Sequence, residues 1–247
     1  LNGEILFLKG ANRHEAHPQF GAATPEALMV QDIQLLKSLN GNFFRGSHYQ
    51  QCRRFLDYCD EMGVLVWEEA LGWGNNAKQM GDPDYFRLQV EQTRAMVRAS
   101  FNHPSVIIFA FQNENASQTK EGKKMNDALI DAIRSQDSGR LVTFACNRTR
   151  GDLCHANTDF VAFNTYPGTI NGYPGTHDEL KQKIHDMDGY GVDWLAKYLG
   201  ERYPGKTLFI SEMGGAGQYG SRDPSCPVDT EDFQAEHNAL VAEAAWG

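Results

Sequence analysis

Short runs of apolar, β-branched or aromatic residues alternate along this chain with longer stretches whose apolar positions recur every three to four residues. The runs fall at residues 5–10, 42–45, 64–67, 105–111, 141–145, 159–163 and 207–211, and each predicts a strand. The longer stretches predict helices over residues 25–40, 51–62, 84–100, 120–136, 177–202 and 230–245. Thr24 is the expected N-cap of the first, with Pro25 opening it, and Gly63 is the expected stop of the second. Polar residues 11–24, the Gly/Asn-rich 72–82 and the Gly/Pro-rich 166–176 read as loops. Strict strand–helix alternation means right-handed βα units and a parallel sheet. The expected fold is therefore α/β, a single (β/α)8 TIM barrel domain over residues 1–247, with the eighth strand absent from this chain. A doubly wound open sheet is the alternative, although no GxGxxG or P-loop motif supports a nucleotide site.

One run stands out. Val106-Ile107-Ile108-Phe109-Ala110-Phe111 contains no alternating polar position, so both faces of that strand should be covered. It ends abruptly in Gln112-Asn113-Glu114. The pattern recurs at Thr207-Leu208-Phe209-Ile210-Ser211-Glu212. In α/β folds the reacting groups sit at the carboxyl ends of parallel strands. Two carboxylates facing one barrel mouth suit cleavage of a glycosidic bond, in which one protonates the leaving oxygen and the other attacks the anomeric carbon. The plainer alternative is that each glutamate is an anion at a helix N-terminus.

Composition narrows the partners. The 247 residues carry a net charge of −9, which argues against nucleic acid and against anionic membranes. No apolar run approaches the ~20 residues needed to span a bilayer as a helix. The 5 cysteines include no CxxC, which argues against a disulfide framework or a zinc ribbon and leans towards a reducing, cytoplasmic compartment over a periplasmic or secreted one. Leu1-Asn2-Gly3 does not look like a natural start, so the chain is expected to be a piece of a longer protein.

Five motifs then occur in order: Asn12-Arg13-His14-Glu15, Arg45-Gly46-Ser47-His48-Tyr49, Asn102-His103-Pro104-Ser105-Val106-Ile107-Ile108, Asn113-Glu114 and Ser211-Glu212. Together they resemble the catalytic barrel of glycoside hydrolase family 2, the family of β-galactosidases and β-glucuronidases. The resemblance implies a retaining exo-β-glycosidase acting on terminal β-linked sugars, with Glu114 as acid/base and Glu212 as nucleophile. It implies a covalent glycosyl-enzyme and carboxyl groups roughly 5–5.5 Å apart. It also implies a multidomain protein with β-sandwich domains N-terminal to this barrel, and it allows a homo-oligomer formed through domains outside this chain.

The same resemblance implies that Asn113 binds the sugar 2-hydroxyl, that His14 and His48 line the substrate site, and that Tyr166 hydrogen-bonds the nucleophile, with Asn164 on the same wall. Arg45 reads either as a clamp on a catalytic carboxylate or as a core ion pair. The acid ending the third strand is Glu68 or Glu69, with Glu69 preferred. Magnesium-dependent β-galactosidases resemble Asp-Glu-Ala-Asn-Ile-Glu-Thr-His here, and their metal-binding Glu and His fall at Trp73 and Asn75. The expectation is no metal and no cofactor, and Trp73 is expected to pack in the core, a sugar-stacking wall being its alternative. Residues 141–167 look closer to β-glucuronidases. Two other functions stay open: a carbohydrate-binding barrel or inactive fragment without turnover, and a metal-dependent barrel hydrolase using His14, His17 and His48.

Overall fold

The computed structural model describes residues 1–169 and 176–246. The chain divides into two compact units, residues 1–144 with 153–159 and residues 145–152 with 160–247.

The first unit is built on a parallel sheet of β1 (Gly10–Arg13), β2 (Phe43–Gly46), β3 (Leu65–Trp73), β4 (Val106–Asn113) and β5 (Leu141–Thr143). Its strands lie side by side in chain order. With right-handed crossovers and no reversal of order, every connecting helix falls on the same face, as in a barrel wall; a doubly wound sheet requires a reversal. The connecting helices are α1 (Glu26–Ser38), α2 (Arg53–Met62), α3 (Ala77–Gly81), α4 (Pro83–Ser100) and α5 (Lys120–Arg134). Local chemistry sets their ends. Gly63 closes α2 at φ 69°. Asp82 accepts from the Tyr85 amide at 2.8 Å ahead of Pro83, and Thr119 accepts from the Gly122 amide at 3.0 Å.

β4 is covered as its apolar run predicts. Ile108, Phe109, Ala110 and Phe111 are buried, together with Val66 and Trp67 from β3 and with Phe55, Met96, Leu129 and Ile133 from the helices. Burying each of the larger side chains stabilises the fold by about 1.5–3 kcal/mol.

The second unit carries β6 (Ala145–Cys146), β7 (Val161–Asn164) and β8 (Leu208–Glu212), again parallel and in chain order. Its helices are α6 (His177–Asp186), α7 (Val192–Arg202) and α8 (Glu231–Trp246). Leu195, Leu199 and Tyr203 cluster on Val161 and Phe163, while Leu180, Ile184, Phe233 and Val241 form a separate cluster. Among the described residues no strand follows α8.

Five local expectations need correction. The first strand lies at Gly10–Arg13 rather than at residues 5–10, because pairing with β2 runs from Gly10↔Phe43 to Arg13↔Gly46; it takes the opening of the polar segment 11–24, and Ile5 and Phe7 are exposed. The cap of α1 is Pro25, in extended backbone, and the buried Thr24 hydroxyl has no hydrogen-bond partner. The fifth strand changes neighbours at Phe144: Leu141–Thr143 pairs with β4, whereas Ala145 and Cys146 pair with β7. The segment 72–82 is not wholly loop, since Trp73 ends β3 and an Asn76–Gln79 capping box starts α3. The helix expected over 177–202 is two helices. Gly189 sits at φ 81°, and a Cβ on Gly191 would lie 2.3 Å from the His185 carbonyl oxygen, so the chain turns there. Of the loop expected over 166–176, residues 170–175 lie outside the described residues.

Candidate active site

In the first unit the strand ends bring four of the expected residues into one network. Arg45 on β2 donates from Nε and Nη2 to Glu69 Oε2 at 3.1 and 2.9 Å, and from Nη2 to Glu69 Oε1 at 3.2 Å. The same Nη2 donates to Asn113 Oδ1 at 3.0 Å. Because a guanidinium only donates, it fixes the Asn113 amide with its oxygen towards Arg45 and its NH2 turned the other way. His48 Nδ1 stands 3.2 Å from both Glu69 Oε1 and Arg45 Nη2. Trp67 Nε1 completes the ring of donors around Glu69 with a bond of 2.9 Å to Oε2.

Of the two roles its sequence allowed, the contacts of Arg45 with Glu69 are those of the core ion pair. Arg45 is 1% and Glu69 0% exposed, and the guanidinium clamps a carboxylate bidentately. The acid it clamps here is Glu69. Burial alone would raise the Glu69 pKa. The Arg45 charge and the His48 hydrogen bond outweigh it and hold the carboxyl below its ordinary range.

Successive strand residues face opposite ways, so Glu68 points to the other side of β3. It accepts from Ser100 Oγ at 3.1 Å and from the Gln51 amide at 3.4 Å, and burial pushes its pKa up to about 8. Of the two candidate acids, Glu69 is the one that reaches Arg45, His48 and Asn113.

Glu114 follows β4 in a turn and is half-buried. Its φ is 51°, and Gln112 two residues earlier has φ 35°; both are non-glycine residues in the left-handed region. Such backbone concentrates where surrounding structure holds a functional side chain in place. His14 is exposed on the loop after β1, with its ring edge-on to His48 at 5.2 Å. Trp73, expected in the core, is 59% exposed and lies 6.3 Å from the His48 ring.

The second unit holds the other acid. Tyr166 Oη donates to Glu212 Oε2 at 2.6 Å, and the Thr165 amide donates to the Glu212 carbonyl at 2.9 Å. Asn164 Oδ1 accepts from Ser211 Oγ at 2.8 Å, tying the ends of β7 and β8 together. Glu212 is 9% exposed. A contributor with no local sequence signal is His237 on α8. Fully buried, it bonds through Nε2 to the carbonyl oxygen of Pro167, the residue after Tyr166, at 2.8 Å.

The HxxH pair does not form a cluster. His17 Nδ1 accepts from the Gln19 amide at 3.1 Å, and the backbone of His17 bridges to Gly21. Among the described residues the one group with metal-like spacing is Asp57, Asp60 and His103. Asp60 already accepts from the Ser105 amide at 2.8 Å and lies 2.6 Å from His103 Nδ1. The motif Asn102-His103-Pro104-Ser105 therefore ties α2 to the start of β4 instead of carrying chemistry. Asn75, where the resemblance would place one magnesium ligand, is buried and donates to Tyr85 Oη at 2.5 Å.

Comparison with known proteins adds a family. The family described as "Glycosyl hydrolases family 2, TIM barrel domain" matches residues 1–198. A β-galactosidase of Thermoanaerobacterium thermosulfurigenes is 36% identical over 215 residues, covering 84% of this chain and 27% of that protein. A β-glucuronidase of Mus musculus is 32% identical over 235 residues, covering 95% of this chain and 35% of that protein. A solved structure of a family 2 β-galacturonidase of Eisenbergiella tayi, bound to galacturonate, superposes with a TM-score of 0.87 at 33% identity, over 98% of this chain and 42% of that one. The chain thus spans less than half the length of each.

Proposed function

Because the chain belongs to glycosyl hydrolases family 2, whose TIM barrel domain it carries, we propose that it is the catalytic part of a retaining exo-β-glycosidase. The observation that carries this reading is the 2.6 Å bond from Tyr166 Oη to Glu212 Oε2 at the end of β8. A nucleophilic carboxylate needs one oxygen aimed at the anomeric carbon. A short bond to the other oxygen fixes that aim and can pass back to the phenol when the glycosyl group departs.

In the proposed cycle Glu212 attacks the anomeric carbon while Glu114 gives its proton to the leaving oxygen. The bond from Glu212 to the sugar forms as the bond to the aglycone breaks. Glu114, now a carboxylate, takes a proton from water, and that water releases the sugar from Glu212. The carboxyl groups of such a pair stand roughly 5–5.5 Å apart. Asn113, its oxygen held by Arg45, presents its NH2 to the sugar 2-hydroxyl, a contact that strengthens in the transition state. Glu69 acts by holding Arg45 and His48, and His14, His48 and Asn164 supply polar walls.

The substrate class is a terminal β-galactoside or β-glucuronide, two of the activities named among the similar proteins beside the β-galacturonidase. Within this reading the chain is one domain of a longer protein with β-sandwich domains before it. The test uses that full-length protein. Hydrolysis of p-nitrophenyl β-galactoside or β-glucuronide is expected, with a 2-fluoro analogue labelling Glu212 covalently. Glu212→Gln should lower kcat by about 10⁴-fold or more, and Glu114→Gln by about 10²–10⁴-fold. A protein that hydrolyses the glycosides without labelling at Glu212, or whose Glu212→Gln form keeps its rate, would refute the assignment.

A further inference from the structure

The rim of β3 contains a side chain that the proposed reaction does not use. Trp73 ends the strand and is the direct register partner of Asn113, the residue before the proposed acid. The backbone around it is specialised. Register runs from Ala70↔Phe111 to Trp73↔Asn113, so β3 has one residue more than β4 over this step, a bulge. Gly72 occupies the bulge at φ 152°, where a Cβ would come within 2.9 Å of the Gln112 side chain and 3.0 Å of Asn75 Oδ1. Gly74 follows at φ 62° and donates its amide to the Asn113 carbonyl at 2.9 Å.

A bulge of this kind re-aims the side chain beyond it. Ala70 is buried, whereas Trp73 stands 59% exposed. A large apolar side chain faces water at the end of β3, in register with Asn113. Rings gather beside it: His48 lies 6.3 Å away at a 36° tilt, and His14 stands edge-on to His48 at 5.2 Å. An indole face of this size, flanked by polar rings and exposed in this chain, matches the flat apolar face of a sugar or aryl ring.

We infer that Trp73 is the stacking platform for the leaving-group side of the substrate, selecting β-glycosides whose aglycone is itself a ring, either a second sugar or an aromatic. This rests on the glycosidase reading above and assigns a subsite to it. Asn113 addresses the sugar that is cleaved off. Trp73, one ladder position across from it and beside the residue that protonates the leaving oxygen, addresses what departs.

The test compares leaving groups of different shape on one sugar, using the full-length protein. Trp73→Ala should lower kcat/KM for p-nitrophenyl β-galactoside or β-glucuronide about tenfold, mostly through KM. The β-glycosyl fluoride of the same sugar has no ring to stack, and its kcat/KM should stay within about twofold. Trp73→Phe, which keeps a ring, should recover most of the loss. An equal loss on both leaving groups, or no loss on either, would overturn the platform. If the wild-type protein turns over none of these glycosides, the glycosidase reading itself fails. The platform is then decided by quenching of tryptophan fluorescence on binding p-nitrophenyl β-thiogalactoside or β-thioglucuronide: quenching lost in Trp73→Phe supports it, and unchanged quenching overturns it.

Discussion

Glu68 and Glu69 are neighbours on one strand, and both are fully buried, yet they are driven in opposite directions. Glu68 faces Ser100 and the Gln51 amide, which are neutral donors, and burial pushes its pKa up to about 8. Glu69 faces Arg45, His48 and Trp67, and its carboxyl is held below the usual range even though burial opposes this. Equal desolvation therefore does not decide the charge state; a full positive charge at hydrogen-bonding distance does. One side of β3 keeps a neutral acid as packing, while the other keeps an anion that organises Arg45 and, through it, Asn113.

The largest break in that contrast comes from Arg45→Met. It leaves the Glu69 carboxylate buried without its cation and should destabilise the protein by about 3–5 kcal/mol, read by urea denaturation at pH 7. Glu69 is a depressed acid, so its stabilising contribution is present above its unfolded pKa and is lost as pH falls through the folded one. In Arg45→Met this acid-side loss should vanish. A penalty below about 1 kcal/mol would mean that Arg45 does not hold Glu69 charged.

Glu68 should show the opposite signature. Its folded pKa is raised from 4.5 to about 8, so its contribution is fully present below pH 4.5 and declines as pH rises to about 8. Glu68→Gln keeps the shape and removes the titration. At pH 7 it should gain about 3 kcal/mol over the wild type, with the difference shrinking towards pH 4.5. A gain that does not vary with pH would show that Glu68 is not the group being titrated. The smallest effect belongs to Ser100→Ala, which removes one neutral partner of Glu68 and should cost about 1 kcal/mol while leaving the Arg45 network and its acid limb unchanged.

Much of this arrangement was legible in the sequence because its signals are local. The unbroken apolar run of β4 and the acids that close β4 and β8 can be read off neighbouring residues, and so can the Gly63 stop and the Asn113-Glu114 pair. What was missed depends on distant partners. Residues 5–8 have strand-like composition, but the β2 register assigns pairing to Gly10–Arg13. Trp73 has the residue type of a core position, but it lies on the exposed rim of β3 with Leu71, where the ladder to β4 shifts register. The two glycines that split the helical stretch 177–202 were visible, but helical periodicity masked them. His237 supports the segment after Tyr166 from a helix 70 residues downstream of Pro167, a distance at which sequence pattern carries no information. The opposite states of Glu68 and Glu69 required knowing which face of β3 meets which neighbour.

The left-handed backbone at Glu114 has a consequence for how this protein would drift under selection. A glutamate held at φ 51° sits in a region that glycine, asparagine and aspartate occupy more readily. Replacement by glycine removes the carboxyl and relieves the main chain in one step, by about 1 kcal/mol or more. A library sorted for thermal resistance alone should therefore accumulate glycine or asparagine at position 114, whereas sorting for turnover should retain glutamate. Stability and chemistry would then pull one codon in opposite directions, and the dead variants so enriched would be well suited to capturing an uncleaved glycoside.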